Sequence, residues 1–182
     1  MFLFMMVSLD GYFEGKNHDL SWHNANNAEF SNYANQQTAS LDTIIFGKRT
    51  YDMMANFWPK PIGIKAEPVT AKLMNNAHKV VVSHKQFEPE WQNTRVLSGD
   101  IKQELSKLKT KASKDIAVFG SSNLCISLLE MKLLDELRIM VNPVVLGAGT
   151  PLFAGIKNKL DLKLLNTRQF DSGNVLLTYN PL

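Results

Sequence analysis

The chain has 182 residues, of which 45% are apolar and 20% charged, a length that suits one domain and a balance ordinary for a soluble globular protein. A net charge of +3 admits an anionic small-molecule ligand but falls well short of a nucleic-acid footprint. A single cysteine, Cys125, excludes an intramolecular disulfide and suits a reducing cytoplasm.

The opening "MFLFMMVSLDGYF" is apolar but has no basic leader and no small-residue cleavage site, and Asp10 interrupts it. It reads as a first β-strand over Phe2–Val7 rather than a signal peptide or membrane span. A helix is expected over Asn26–Ala39, a strand over Thr43–Phe46, and helices over Arg49–Asn56 and Thr70–Asn76. Strands follow at Lys79–Ser83 and Arg95–Leu97. Asp100–Lys109 sets Ile101, Leu105 and Leu108 on one helical face with lysines opposite. Those lysines read as a solvated face, because the aromatic residues that stack on bases are absent. A strand at Ile116–Phe119 and a helix at Asn123–Met131 complete the alternation, which argues a mostly parallel sheet with crossover helices. "LDELRIMVNPVVLG" then reads as one long strand-like run, and "LKLLNTRQFDSGNVLLTY" as an antiparallel hairpin turning at Ser172–Asn174. Residues 1–182 are expected to form one α/β domain without repeats or a linker.

In an open parallel sheet, ligands gather at the carboxyl ends of the strands. Three ends here are chemically suggestive. Gly47, Lys48, Arg49 and Thr50 join a strand to a helix, where a glycine admits close backbone approach and cations favour an anion. Ser83, His84 and Lys85 end a second strand. Gly120, Ser121 and Ser122 end a third. Alone, each is equally a turn, a cap or a surface pair. Neither a G-x-G-x-x-G fingerprint nor a P-loop is present. The four histidines His18, His23, His78 and His84 are scattered, so no metal site is expected. No G-x-S-x-G elbow occurs, and Cys125 lies on an apolar helix face.

Taken together, "MVSLDGYFEG", "IIFGKRTYDMM", "VVVS", "VFGSSNL", "LLDELRIMVNPVVLGAGTPLF" and "FDSGNVLLTY" resemble dihydrofolate reductase and the related C-terminal reductase domain of bacterial riboflavin biosynthesis, nearer the latter. The resemblance implies a mostly parallel central sheet with flanking helices and an antiparallel C-terminal hairpin, NADPH as cofactor, and a homodimer. Lys48, Arg49 and Thr50 would meet the adenosine 2′-phosphate and adjoining phosphates beside Gly47, and Ser83 and His84 the adenosine end. Gly120, Ser121, Ser122, Asn123 and Leu124 would line the pyrophosphate. Backbone groups of Met6 and Phe13 would hold the nicotinamide amide. The family usually joins two glycines by a cis peptide where this chain has Gly120-Ser121, so the bond is expected cis or the site altered.

For the substrate, the resemblance implies a flat pyrimidine or pterin-like heterocycle, most like 5-amino-6-(5-phosphoribosylamino)uracil. A folate or pterin substrate and a non-catalytic NADPH sensor are the alternatives. Folate lacks support at two places, because Ala77 and Met140 stand where the folate branch has an arginine and a threonine. Glu29 beside Phe30 is a candidate proton source, and equally a solvated helix residue. Gly147, Gly149 and Thr150 are a candidate substrate-phosphate loop, and equally a tight turn into Pro151. Asp10 and Trp22 border the substrate or serve as a turn residue and core. Met5, Met6, Phe13 and Met140 would crowd the cavity if the chain were a sensor.

Overall fold

The structure of the protein, a computed structural model, describes residues 1–25 and 27–182. Asn26, where the first helix was expected to begin, lies outside the described residues. In chain order the strands are β1 (Phe2–Ser8), β2 (Tyr12–Glu14), β3 (Leu41–Gly47), β4 (His78–Val82), β5 (Thr94–Leu97), β6 (Asp115–Val118), β7 (Glu136–Asn142), β8 (Thr150–Pro151), β9 (Leu162–Gln169) and β10 (Val175–Pro181). The helices are α1 (Ala28–Ala39), α2 (Lys48–Ala55), α3 (Pro61–Ala66), α4 (Pro68–Asn76), α5 (Ile101–Lys111) and α6 (Ser122–Glu130).

Eight strands form one sheet in the order β5-β4-β3-β6-β1-β7-β10-β9. The strands from β5 to β7 run parallel, and β10 returns antiparallel between β7 and β9. This is the expected mostly parallel sheet with an antiparallel C-terminal hairpin, whose turn places Gly173 at φ +86°. The sequence pattern identifies the parallel strands because both faces of that part of the sheet are covered, so β-branched and aromatic runs need not alternate with polar residues, whereas β9 is exposed along nearly its whole length. On one face Leu3, Ile45, Val80 and Val118 pack with Leu105 of α5 and Leu128 of α6. On the other, Ile44, Phe46 and Val81 pack with Tyr51 of α2, Met74 of α4 and Trp91. Burying each such large apolar side chain stabilises the fold by about 1.5–3 kcal/mol.

The differences from the sequence reading have local causes. The long run before Gly147 ends as a strand at Asn142, because Pro143 follows and cannot extend the ladder. Helix α3 was unforeseen, because Pro61 and Gly63 punctuate its sequence. Proline occupies the first turn, where its missing N–H costs nothing, and a Cβ at Gly63 would overlap the Phe57 carbonyl. The ribbon of β2 and β8 was also unforeseen, since strands so short carry no periodic signal.

At the carboxyl end of α4, Lys79 is 1% exposed and its ammonium donates to the carbonyls of Met74, Asn75 and Ala77 at 3.0, 3.1 and 2.7 Å. These are carbonyls that a helix end leaves without intrahelical partners. The same charge lies 4.6 Å from the centre of the Trp91 ring. One buried cation thereby closes a helix onto a strand.

Candidate functional site

The carboxyl ends of β3 and β6 are tied together. Gly47 N–H donates to the Gly120 carbonyl at 2.8 Å, and Phe119 N–H to that of Ile45 at 3.0 Å. A Cβ on Gly47 would stand 2.9 Å from Ser121 Oγ and 3.2 Å from its backbone N, so glycine suits the close approach of the two loops. Gly120 has φ +96°, its Cβ position lies 3.2 Å from Thr50 Oγ1, and the Gly120–Ser121 peptide is cis. The start of α2 and the start of α6 therefore meet at one place, with Thr50 between them. Ser122 and Leu124 are buried there and Asn123 is exposed. Lys48, the first residue of α2, points along its own helix: its ammonium pairs with Asp52 at 2.6 Å and lies 4.5 Å from the centre of the Phe87 ring. That contact brings Lys48 to the loop after β4, where Ser83 Oγ donates to the Lys85 carbonyl at 2.8 Å and His84 is exposed.

Beside this cradle sits a carboxylate that the sequence reading missed. Glu14 of β2 is 5% exposed at its side chain, and Arg49 Nη2 donates to its Oε2 at 2.5 Å. Thr150 Oγ1 donates to Oε1 at 2.8 Å, and His18 Nδ1 lies 3.0 Å from the same oxygen. Burial raises the Glu14 carboxyl, but the hydrogen bonds from Arg49, Thr150 and His18, with the guanidinium charge, outweigh it and hold the group below its ordinary value. Glu14 stays ionised and fixes Arg49 across the gap between β2 and α2. No local signal in "GYFEGK" could reveal this, because the partner lies 35 residues away in sequence.

Gly149 explains how the ribbon seats Glu14. Its φ is +153°, and a Cβ there would overlap the Glu14 carbonyl oxygen. Gly149→Ala is therefore expected to destabilise the protein by about 3 kcal/mol or more, or to prevent folding, read by urea denaturation. An unchanged midpoint would show that the β8 loop shifts without cost.

A cavity of about 920 Å³ opens beside the cradle, at the carboxyl ends of β1 and β6. Met5, Met6, Phe13 and Phe30 line it on the strand side, with Phe119 and Gly120. Arg49 and Thr50 line the cradle end. Helix α2 and the turn after it supply Met53, Met54, Phe57 and Trp58, and Ser31, Glu67 and Thr70 stand on the same wall. Ser31 Oγ donates to Glu67 Oε1 at 3.1 Å. His23 also lines the cavity; burial pushes its imidazole down to about 4, against the opposing pull of Asp19 and of the Phe13 carbonyl, so it is uncharged at neutral pH.

Several expected site residues lie elsewhere. Glu29 is not on the cavity wall: its carboxylate accepts from Asp171 N–H at 2.8 Å and pairs with Arg168 at 3.1 Å, fastening α1 to the C-terminal hairpin. The Asp171 N–H, with Arg168, lowers its pKa. The exposed Asp10 accepts from Ser8 Oγ at 2.7 Å and from the N–H groups of Leu146 and Gly147 at 3.1 and 2.8 Å, so it closes the loop after β7. Gly147 is thus joined to Asp10, and Thr150 to Glu14, rather than to open space. Trp22 is half-buried, donates from Nε1 to the Asp19 carbonyl at 3.0 Å and packs edge-on against His23. Met140 is fully buried in the core with Phe170 and Leu176 and does not crowd the cavity.

A family model described as the RibD C-terminal domain matches residues 1–176. The chain is 35% identical to the uncharacterized protein YyaP of Bacillus subtilis (strain 168) over 177 residues, covering 97% of this chain and 92% of that one. Among solved structures, a Shewanella sp. PV-4 protein assigned to riboflavin biosynthesis aligns with TM-score 0.77 at 22% identity, over 100% of this chain and 98% of that one. Dihydrofolate reductase from Enterococcus faecalis, solved with NADP(H), aligns with TM-score 0.67 at 15% identity, over 99% and 95%. Those two likenesses are of fold. The model spanning nearly the whole length identifies the chain as a member of the RibD C-terminal domain family.

Proposed function

We propose that the protein is an NADPH-dependent reductase that places hydride on a flat heterocycle of the pyrimidine or pterin kind. The observation that carries this reading is the cavity itself: a large, mostly apolar space that ends at a two-helix cradle closed by Gly47 and Gly120. Backbone N–H groups at two helix starts, Thr50 and the Arg49 guanidinium suit a pyrophosphate. Lys48, with Ser83 and His84 in the neighbouring loop, suits a further phosphate at the adenosine end. The nicotinamide, when bound, supplies hydride at its C4.

The chain's own residues bind and orient. Backbone groups of Met6 and Phe13, at the strand-side wall, hold the carboxamide. Phe30 and Phe119 exclude water and flatten the space in which a heterocycle lies. The cavity is open despite Met5, Met6 and Phe13, which favours turnover over a sensor role. Assembly as a homodimer belongs to the same proposal. The ribosylamino-pyrimidine phosphate implied by the sequence resemblance is one member of the substrate class, and it would need a phosphate site besides.

The test is loss of NADPH absorbance on mixing the protein with a panel of oxidised pterins and aminopyrimidines, with deuterium transfer from C4-deuterated NADPH to product. Turnover with label transfer supports the reading. Tight NADPH binding with no turnover across the panel would favour the sensor instead.

A further inference from the structure

The charges and surfaces of this cavity narrow the substrate class, resting on the reductase reading just given. We infer that the substrate is an unphosphorylated flat heterocycle bearing an apolar aryl substituent, held in the part of the cavity formed by α2 and its following turn, and that Glu67 rejects phosphorylated tails.

Four observations converge. First, Arg49 is the only lysine or arginine on the cavity wall among the described residues, and it is already fastened to Glu14 at the cradle end. Second, α2 and the turn after it give the cavity wall Met53, Met54, Phe57 and Trp58, side chains whose contacts reward aromatic and aliphatic surface. Third, the wall carries an unbalanced carboxylate: Glu67 is half-buried, with Ser31 as its hydrogen-bond donor and no cation within ion-pair distance among the described residues. A phosphate dianion entering that space would meet a carboxylate in a low dielectric with nothing to balance it. Fourth, the loop that could have served as a phosphate site is closed by the protein's own carboxylates. Asp10 takes the N–H groups of Leu146 and Gly147, and Glu14 takes the Thr150 hydroxyl.

The methionines also give the aryl site tolerance. Unbranched, polarizable side chains repack around ligands of different outline, so this part of the cavity accepts a range of aromatic groups rather than one.

The experiment compares two probes that share a head and differ in tail. 6-Anilinouracil carries an apolar ring, and 6-(ribitylamino)uracil 5′-phosphate carries a sugar phosphate. Each is titrated into the full chain by calorimetry, with and without NADPH. The anilino probe is expected to bind at least about tenfold more tightly in both conditions. Glu67→Lys is expected to narrow the gap severalfold by admitting the phosphate, while leaving NADPH binding within about twofold. Equal affinities, a preference for the phosphate probe, or no binding of either would overturn the inference. A chain that prefers the anilino probe but never binds NADPH would leave the tail preference standing and remove the reductase reading, so the two failures are separable.

Discussion

Lys79→Met is expected to lower stability by about 2 kcal/mol at neutral pH, because the carbonyls of Met74 and Ala77 at the end of α4 lose this donor at about 1 kcal/mol each, while that of Asn75 keeps the Asn93 side-chain amide at 3.3 Å. Methionine fills the space but donates nothing. The effect also has a pH signature. Burial pushes the Lys79 ammonium from 10.5 down to about 8. Between those two values the unfolded chain holds a proton that the folded chain has released. The unfolded state binds more protons, so this group's contribution to stability rises with pH across that window. The wild-type protein should therefore gain on Lys79→Met as pH climbs from about 8 toward 10.5, in paired urea denaturation curves. A variant as stable as wild type would mean that water reaches the Met74 and Ala77 carbonyls.

Arg49→Ala is expected to weaken NADPH binding by about tenfold or more, the loss of a charge-assisted contact at the cradle. It also leaves the Glu14 carboxylate, 5% exposed, with only Thr150 and His18, so the melting temperature should fall as well. Arg49→Lys restores a charge without the planar fork, and is expected to recover part of the affinity but less of the hold on Glu14. Calorimetry and thermal denaturation on the same three proteins read both effects. Unaltered NADPH affinity in Arg49→Ala, with a lowered melting temperature, would assign Arg49 to structure alone.

The parallel strands were legible because both faces of that part of the sheet are covered, which forces runs such as "DTIIFG" and "KVVV" to be apolar whatever their neighbours. The cradle was legible for a similar reason: a glycine between a buried strand and a helix marks a close approach, and Gly47 and Gly120 do approach each other's loops. What sequence could not supply were pairings across the fold. Glu29 was a reasonable cavity carboxylate by its place near the start of α1, but adjacent helical positions differ by about 100° in direction, so Phe30 and Ser31 line the cavity while Glu29 meets the hairpin. Asp10 likewise found its partners in Leu146 and Gly147, more than a hundred residues on. The cavity's own carboxylates, Glu14 and Glu67, sit on a three-residue strand and between two short helices, segments without a periodic signal to place them. Met140 read as a substrate position because it stands where the resembled folate branch has a threonine, and its burial with Phe170 depends on the hairpin packing above it.

Among the described residues no helix is long and apolar enough to cross a membrane. Calorimetric titration with NADPH and, separately, with NADH puts the reductase assignment at risk most directly. Tight NADPH binding with at least about a tenfold preference over NADH is predicted, on the proposal that Lys48, with Ser83 and His84 in the neighbouring loop, meets the additional phosphate. No binding of either dinucleotide would contradict the assignment outright.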